Sequence, residues 1–371
     1  MRILQVMASA ARVSGVAQAV MNYYRHICTD VTFDFLVYWD KGDTFRDEII
    51  SLGGRVFLTT EPSVRHLRSY WHEIDNFFAA HAPDYDAVQL HDLYLAPVIF
   101  ALAKKHGVKV RIAHSHTNKL SEHALGVARN WLLYRSLPWL ATDFWGASRW
   151  AGISAFGKRI AESDQFTVIR NAIEPNTFIF NTEDRTRIRA EFGIGENDFV
   201  LGHIGRFVPQ KNHAFLLRVF AELKCQRPDS RLLLVGDGGS LRDAVIAQAA
   251  RLGIEDSVIL AGLRNDIGAL LSAMDSFCLP SRFEGLGIVL IEAQANGLAC
   301  VASNNVPPEA AILPSYRCLS LDNSPKTWAE ALLASDSKRD LNAPQQVTEH
   351  GFDITYAAPA LMEHYKRLVQ R

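Results

Sequence analysis

Two doubly wound α/β domains, each built on its own parallel sheet, are predicted by three observations. The chain has 371 residues, more than one ordinary core organises. Short apolar runs bounded by turn residues alternate with longer amphipathic stretches, the rhythm of βαβ units. That rhythm runs through twice, with the polar stretch Arg170-Asn171-Ala172-Ile173-Glu174-Pro175-Asn176 between the two passes.

In the first pass the expected strands are Arg2–Met7, Thr32–Tyr38, Arg55–Leu58, Ala87–Leu90, Val110–Ala113, Asp143–Gly146 and Thr167–Ile169. Helical periodicity fills Val16–Ile27, Arg65–Ala80, Tyr94–Lys105 and Ala124–Ala141. In the second pass strands are expected at Phe199–Ile204, Arg231–Val235, Val258–Ala261, Ser276–Leu279, Ala299–Ala302 and Arg317–Leu319. Helices are expected at His213–Gln226, Leu241–Leu252, Asp266–Ala273, Ile288–Asn296 and Pro325–Ala334, and a last helix, Tyr356–Val369, follows once the second sheet is complete. The expected division is residues 1–172, joined by the helix at 356–371, and residues 173–355. Two such sheets facing across a cleft is the simplest arrangement, with sites on the strand-to-helix loops beyond the carboxyl ends of the strands.

Composition narrows the class. Apolar residues make up 48% and charged ones 21%, the balance of a folded soluble protein, and a net charge of −1 speaks against a nucleic-acid partner. Charge is uneven, however: Leu93–Ile160 holds ten Lys or Arg against Glu122 and Asp143, an excess of +8. The five cysteines are scattered without C-x-x-C spacing, so neither a disulfide framework nor a zinc site is expected. The first residues run straight into a strand-like stretch, and no apolar run nears the ~20 residues a membrane span needs. A soluble, reduced, cytoplasmic protein is the expectation.

Four segments carry chemistry. Gly205-Arg206-Phe207-Val208-Pro209-Gln210-Lys211-Asn212 follows the strand Phe199–Ile204. Its two cations, five residues apart at a helix start, can converge on one anion such as a diphosphate, and a cation placed against the helix dipole calls for that anion. Ser281-Arg282-Phe283-Glu284-Gly285-Leu286-Gly287-Ile288 runs into the helix that bears Glu292. Its glycines permit close backbone approach, its helix start offers free N–H groups, and its two carboxylates can accept from sugar hydroxyls. Ser14-Gly15-Val16 opens the first helix, a weak signal that read alone is a turn. Ile112-Ala113-His114-Ser115-His116 ends a strand, and His91-Asp92 ends another. His-x-His without a carboxylate pair is thin support for a metal, but position favours His116 as a cleft residue.

In this order the motifs resemble the GT-B fold retaining glycosyltransferases, family 4, the group that includes bacterial exopolysaccharide and capsule enzymes. The likeness spans nearly the whole chain and centres on Gly205-Arg206, Lys211-Asn212 and Glu284 followed by Glu292, with Val235-Gly236-Asp237-Gly238 between. It implies that Arg206 and Lys211 hold the donor diphosphate and Glu292 the ribose. Glu284, with the amides of Gly285, Leu286 and Gly287, then contacts the transferred sugar. It further implies donor contacts from Gly15, Val16, Gly236, Leu263, Arg264 and Ile288, and places His116 beside the donor sugar. The catalytic group so expected is His116, Arg206, Lys211 and Glu284. Ser-Gly-Val stands where many relatives have Gly-Gly, and Ala172 where they often have Gly.

The function so implied moves a hexose or N-acetylhexosamine from a nucleoside-diphosphate sugar, UDP-sugar by default, to a saccharide or lipid-linked saccharide, in polysaccharide biosynthesis. No cofactor and no metal are expected, because two protein cations and a helix N-terminus can stabilise the leaving diphosphate. Retention is expected by front-face displacement, with the leaving phosphate taking the acceptor's proton. Asn130–Trp150 holds four of the seven tryptophans inside the basic stretch, which suits peripheral contact with an anionic inner membrane face through residues 129–140. The opposing reading buries those rings, and is preferred for Phe144 and Trp145. Two rival functions are a GT-B nucleotide-sugar epimerase and a non-catalytic two-lobed sugar-binding protein.

Overall fold

The computed structural model describes residues 1–119, 124–334 and 338–371. Glu122, counted in the basic stretch, falls outside them. The chain forms two compact units, Met1–Ala172 with Ile354–Arg371, and Ile173–Asp353.

The first unit runs β1 (Arg2–Ser9), α1 (Gly15–Ile27), β2 (Thr32–Trp39), α2 (Arg46–Ser51), β3 (Val56–Leu58), α3 (Leu67–His81), β4 (Ala87–Leu90), α4 (Ala96–Lys105) and β5 (Val110–Ser115). It continues with α5 (Ala124–Tyr134), α6 (Leu137–Leu140), β6 (Asp143–Gly146), α7 (Arg149–Phe156), α8 (Lys158–Ala161) and β7 (Phe166–Val168). The strands are parallel in the order β3-β2-β1-β4-β5-β6-β7. Alternation along β1 sends Ile3 and Met7 to one face and Leu4 and Val6 to the other, each into its own apolar cluster. Both faces are therefore covered, as a parallel sheet requires.

The second unit runs α9 (Thr182–Glu191), β8 (Phe199–Ile204), α10 (His213–Gln226), β9 (Ser230–Val235), α11 (Arg242–Arg251), β10 (Val258–Gly262), α12 (Ile267–Ala273) and β11 (Ser276–Leu279). Then come α13 (Ile288–Ala295), β12 (Ala299–Ser303), β13 (Arg317–Leu319), α14 (Pro325–Ala334) and α15 (Ala343–Glu349). Its sheet is again parallel, β10-β9-β8-β11-β12-β13. In both sheets the order reverses beside the first strand, between β1 and β4 and between β8 and β11. At such a switch point the loops leaving two neighbouring strands diverge to opposite faces and open a crevice for ligands.

The last helix, α16 (Ile354–Val369), belongs to the first unit. Ile354, Ala358, Leu361, Tyr365 and Leu368 recur at helical spacing and bury themselves in the cluster that α1 also fills. Burying a side chain such as Leu361 stabilises by about 1.5–3 kcal/mol, which anchors the helix here.

All thirteen expected strands are present, most within a residue or two of their expected ends. The helices depart in two ways. The single stretch expected over 124–141 is broken into α5 and α6, because Pro138 lacks the N–H an unbroken helix needs and instead sits in the first turn of α6. Five helices had no counterpart in the periodicity: α2, α7, α8, α9 and α15. Of these, α9 (TEDRTRIRAE) is almost entirely polar and so carries no apolar stripe to read. It folds because Asn181 caps it, accepting from the Asp184 N–H at 2.9 Å, and Ile188 is buried beneath it.

Candidate functional site

The two loops at the second unit's switch point are stitched together. After β8 the chain passes Gly205 and Arg206 into a 3₁₀ turn, Pro209–Lys211, and enters α10 through Asn212. Among the described residues Asn212 is the one non-glycine with positive φ, at 56°, a left-handed conformation that Asn tolerates. Its side chain donates to the Pro280 carbonyl at 3.1 Å in the loop after β11. The Arg282 N–H donates to the Gln210 carbonyl at 2.8 Å, and the Gln210 amide donates to the Phe283 carbonyl at 3.1 Å.

These links hold a buried ion pair between the two loops. Lys211 Nζ donates to Glu284 Oε1 at 2.7 Å, with the two side chains only 16% and 7% exposed. Ser281 Oγ donates to the same oxygen at 2.7 Å, and Gln210 Nε2 to Oε2 at 3.2 Å. Glu284 is thus a fixed carboxylate with donors on both oxygens. Glu292, on α13, is different: no described hydrogen bond or ion pair engages its half-buried side chain. Burial pushes its carboxyl up to about 7, against the pull of Lys211. Arg206 is exposed, and its guanidinium has no described partner either. An exposed cation and a perturbed carboxylate on the same two loops as a buried ion pair are the features of a candidate ligand site.

Backbone geometry supports an anion there. Gly287 caps the N-terminus of α13 at φ 81°, leaving the first amides of that helix without helical acceptors. Gly236, after β9, has φ 129°, and a Cβ on it would stand 2.5 Å from the Gly205 carbonyl oxygen. The loops after β8 and β9 approach that closely because neither residue carries a side chain. Leu263 is 56% exposed after β10, whereas the neighbouring Arg264 guanidinium is occupied, 2.5 Å from Glu191 and 2.8 Å from Asp266.

The first unit holds the other expected residues. Gly15 begins α1 in open surroundings behind the Ser14 cap, with Val16 half-buried next to it. His116 follows β5, and its Nε2 lies 2.7 Å from His91 Nδ1. His114 packs against both, its ring centroid 4.1 Å from that of His116. The three rings offer nitrogens within 4.8 Å of one another, a spacing open to a metal ion, although the His91–His116 hydrogen bond occupies one nitrogen of each. Burial holds His91 and His114 well below the usual imidazole range and His116 at about 4, so all three are neutral at pH 7. Sequence reading passed over the partners of this cluster, Gln5, Gln89 and Tyr365. A signal existed: Gln5 and Gln89 each interrupt an apolar strand, Leu4-Gln5-Val6 and Val88-Gln89-Leu90, and a polar side chain there is kept only with partners.

Phe144 and Trp145 are buried, as the packing reading holds. Trp131, Leu132 and Trp139 are instead 56%, 64% and 75% exposed, and Arg135 lies over the Trp131 ring at 4.9 Å. Among the described residues no helix is long and apolar enough to cross a membrane.

Comparison with known proteins adds an independent line. A family model described as Glycosyl transferases group 1 matches residues 184–343. EpsF of Bacillus subtilis (strain 168), a protein named as a glycosyltransferase, is 31% identical over 98% of this chain and 96% of its own. An Escherichia coli UDP-Gal:alpha-D-GlcNAc-diphosphoundecaprenol alpha-1,3-galactosyltransferase is 36% identical over a shorter stretch, 30% of each chain. Among solved structures, Anabaena Alr3699/HepE in complex with UDP and glucose superposes with a TM-score of 0.81 at 20% identity, covering 99% of both chains.

Proposed function

The chain belongs to the glycosyltransferases and has the two Rossmann-like domains of the GT-B fold, and from that premise we propose that it is a retaining, metal-independent enzyme transferring a hexosyl or N-acetylhexosaminyl unit from a UDP-sugar to a saccharide or lipid-linked saccharide, in the synthesis of a polysaccharide. The observation that carries this reading is the stitched pair of loops at the second unit's switch point, joined by the Lys211–Glu284 ion pair, one loop carrying Arg206 and the other leading into the helix that carries Glu292. Arg206, Lys211 and the first amides of α13 stabilise the diphosphate as it leaves, which is the charge that grows in the transition state. Glu292 accepts from the ribose hydroxyls, and Glu284 from the sugar. The leaving phosphate takes the acceptor's proton, and His116 is read as a group facing the donor sugar. Uridine follows the ligand of the Anabaena structure and the name of the E. coli relative. Donor-dependent transfer to a lipid-linked saccharide, with the product's anomeric configuration read by NMR, tests the reading; inversion, or epimerised sugar without transfer, overturns it.

Two protein cations and a helix N-terminus make a divalent ion unnecessary, so turnover is expected to be unchanged in excess EDTA. Loss of activity on chelation with recovery on Mg²⁺ or Mn²⁺ defeats that assignment.

The exposed Trp131, Leu132 and Trp139 beside Arg135 support peripheral docking on an anionic bilayer. Each basic residue at such a surface contributes only ~1 kcal/mol, so binding is expected to fade as salt rises. Arg135→Glu combined with Trp139→Ser is expected to release the protein from phosphatidylglycerol vesicles while its melting temperature stays near that of the wild type. No sedimentation with vesicles at low salt ends the membrane reading, and a large fall in melting temperature returns these rings to packing.

A further inference from the structure

At the carboxyl ends of β1, β4 and β5, five buried polar side chains form a hydrogen-bonded ring with one gap. Gln5 Nε2 donates to Gln89 Oε1 at 3.5 Å, and Gln89 Nε2 donates to His114 Nδ1 at 2.7 Å. On the other side, His91 Nε2 donates to Gln5 Oε1 at 2.8 Å, and His116 Nε2 donates to His91 Nδ1 at 2.7 Å. The Tyr365 hydroxyl, on α16, also donates to Gln89 Oε1 and accepts from Gln5 Nε2 at 3.4 Å. Every arrow then turns the same way.

Two atoms are left over. His114 Nε2 and His116 Nδ1 are both cut off from solvent and both without a partner. With the arrows as given, His114 Nε2 carries a proton and His116 Nδ1 a lone pair. Reversing both amides reverses every arrow and exchanges the two roles, so the gap always presents one donor and one acceptor. A carboxylate only accepts, an ammonium only donates, and a metal ion needs lone pairs on both sides. A hydroxyl does both. The two histidines help line one small cavity of about 20 Å³, room enough for an oxygen of water size.

We propose that this gap is a binding site for one hydroxyl group, which closes the ring, and that Gln5, Gln89 and His91 are positioning residues that tie the tautomer of His116 to those of His91 and His114. The hydroxyl has two sources: a water in the free protein, and a substrate hydroxyl reaching in to replace it. The ring itself stands apart from the proposed function; only its effect on turnover rests on the reading of His116 as sugar-facing.

Nitrogen-15 NMR of histidine-labelled protein tests the ring. The three imidazoles are expected to be neutral at pH 7 and to share one tautomer, all with the proton on Nε2 or all on Nδ1. A mixed set, or a charged ring among them, overturns the proposal. A high-resolution crystal structure tests the occupant. One water within hydrogen-bonding distance of His114 Nε2 and His116 Nδ1, or a substrate hydroxyl in its place after soaking with UDP-glucose, supports the site. An empty gap overturns it, and so does a metal ion. For the positioning role, His91→Phe is expected to lower kcat roughly 10–100-fold with KM little changed. His91→Gln, which can still donate and accept, recovers most of that loss. Equal losses in the two variants overturn positioning. Unchanged kcat in both, with the common tautomer intact in the wild type, overturns positioning and removes His116 from the sugar while the ring survives.

Discussion

Arg206→Ala and Lys211→Ala are each expected to lower kcat by roughly 10²–10³-fold, because each removes a preorganised cation from a diphosphate that gains charge as it leaves. The surroundings of the two residues make their variants unequal in a second respect. Arg206 is exposed and unpartnered, so its loss leaves no group stranded and the melting temperature is expected to stay where it was. Lys211 is held by Glu284 at 2.7 Å, and its loss leaves a carboxylate only 7% exposed without its counter-charge. Stranding a buried charge costs several kcal/mol before relaxation or protonation, so Lys211→Ala is expected to melt lower as well. Arg206→Ala is therefore the cleaner probe of catalysis. Single-turnover rates near those of the wild type in that variant, with the nucleotide sugar saturating, would falsify the diphosphate assignment.

Glu292→Gln is expected to weaken UDP binding and to flatten its dependence on pH. The Glu292 carboxyl sits near 7 in the free protein, raised by burial with no hydrogen bond to hold it ionised. A ribose hydroxyl donates best to the ionised form, so binding releases a proton, and affinity is expected to rise roughly tenfold from pH 6 to pH 8. Folding of the free protein runs the opposite way. A carboxyl raised from 4.5 to about 7 contributes stability that is complete below the unfolded value and lost as pH climbs through the folded one. The Gln variant is thus expected to lose less stability than the wild type between pH 6 and pH 8. Isothermal titration with UDP at the two pH values, beside melting curves, reads both effects. Glu284→Gln serves as the contrast: its carboxylate already has donors on both oxygens, so the loss is expected in steps that need the sugar and not in UDP affinity. The same pH slope in the wild type and in Glu292→Gln sinks the ribose assignment.

Much of this architecture was legible before any coordinates. A buried parallel strand is a short apolar run because both its faces are covered, and that is a local property of residues such as Phe199–Ile204 or Ser276–Leu279. The motif loops were legible for a related reason. Glycines and charged residues cluster where the chain must leave a strand and meet an anion, so Gly205–Asn212 and Glu284–Ile288 stood out against their apolar flanks.

What the sequence determined by itself, then, is the set of strands, the two passes of the pattern and the residue types at the donor loops, since each depends on neighbours along the chain. The partnerships were decided by the tertiary structure alone. Lys211 and Glu284 are 73 residues apart, yet they share one ion pair because β8 and β11 lie side by side. Arg264 pairs with Glu191, 73 residues away, and with Asp266. The fate of the tryptophans followed the same logic: Trp145 lies on a strand covered on both faces, while Trp131 and Trp139 lie on α5 and α6, which pack on α4 and leave these rings exposed. Gln5, Gln89 and His114 come from separate strands and make sense only as a ring. Hydrogen bonds and ion pairs reach about 3 Å, so which groups are satisfied depends on strand order and helix docking, to which spacing along the chain is blind.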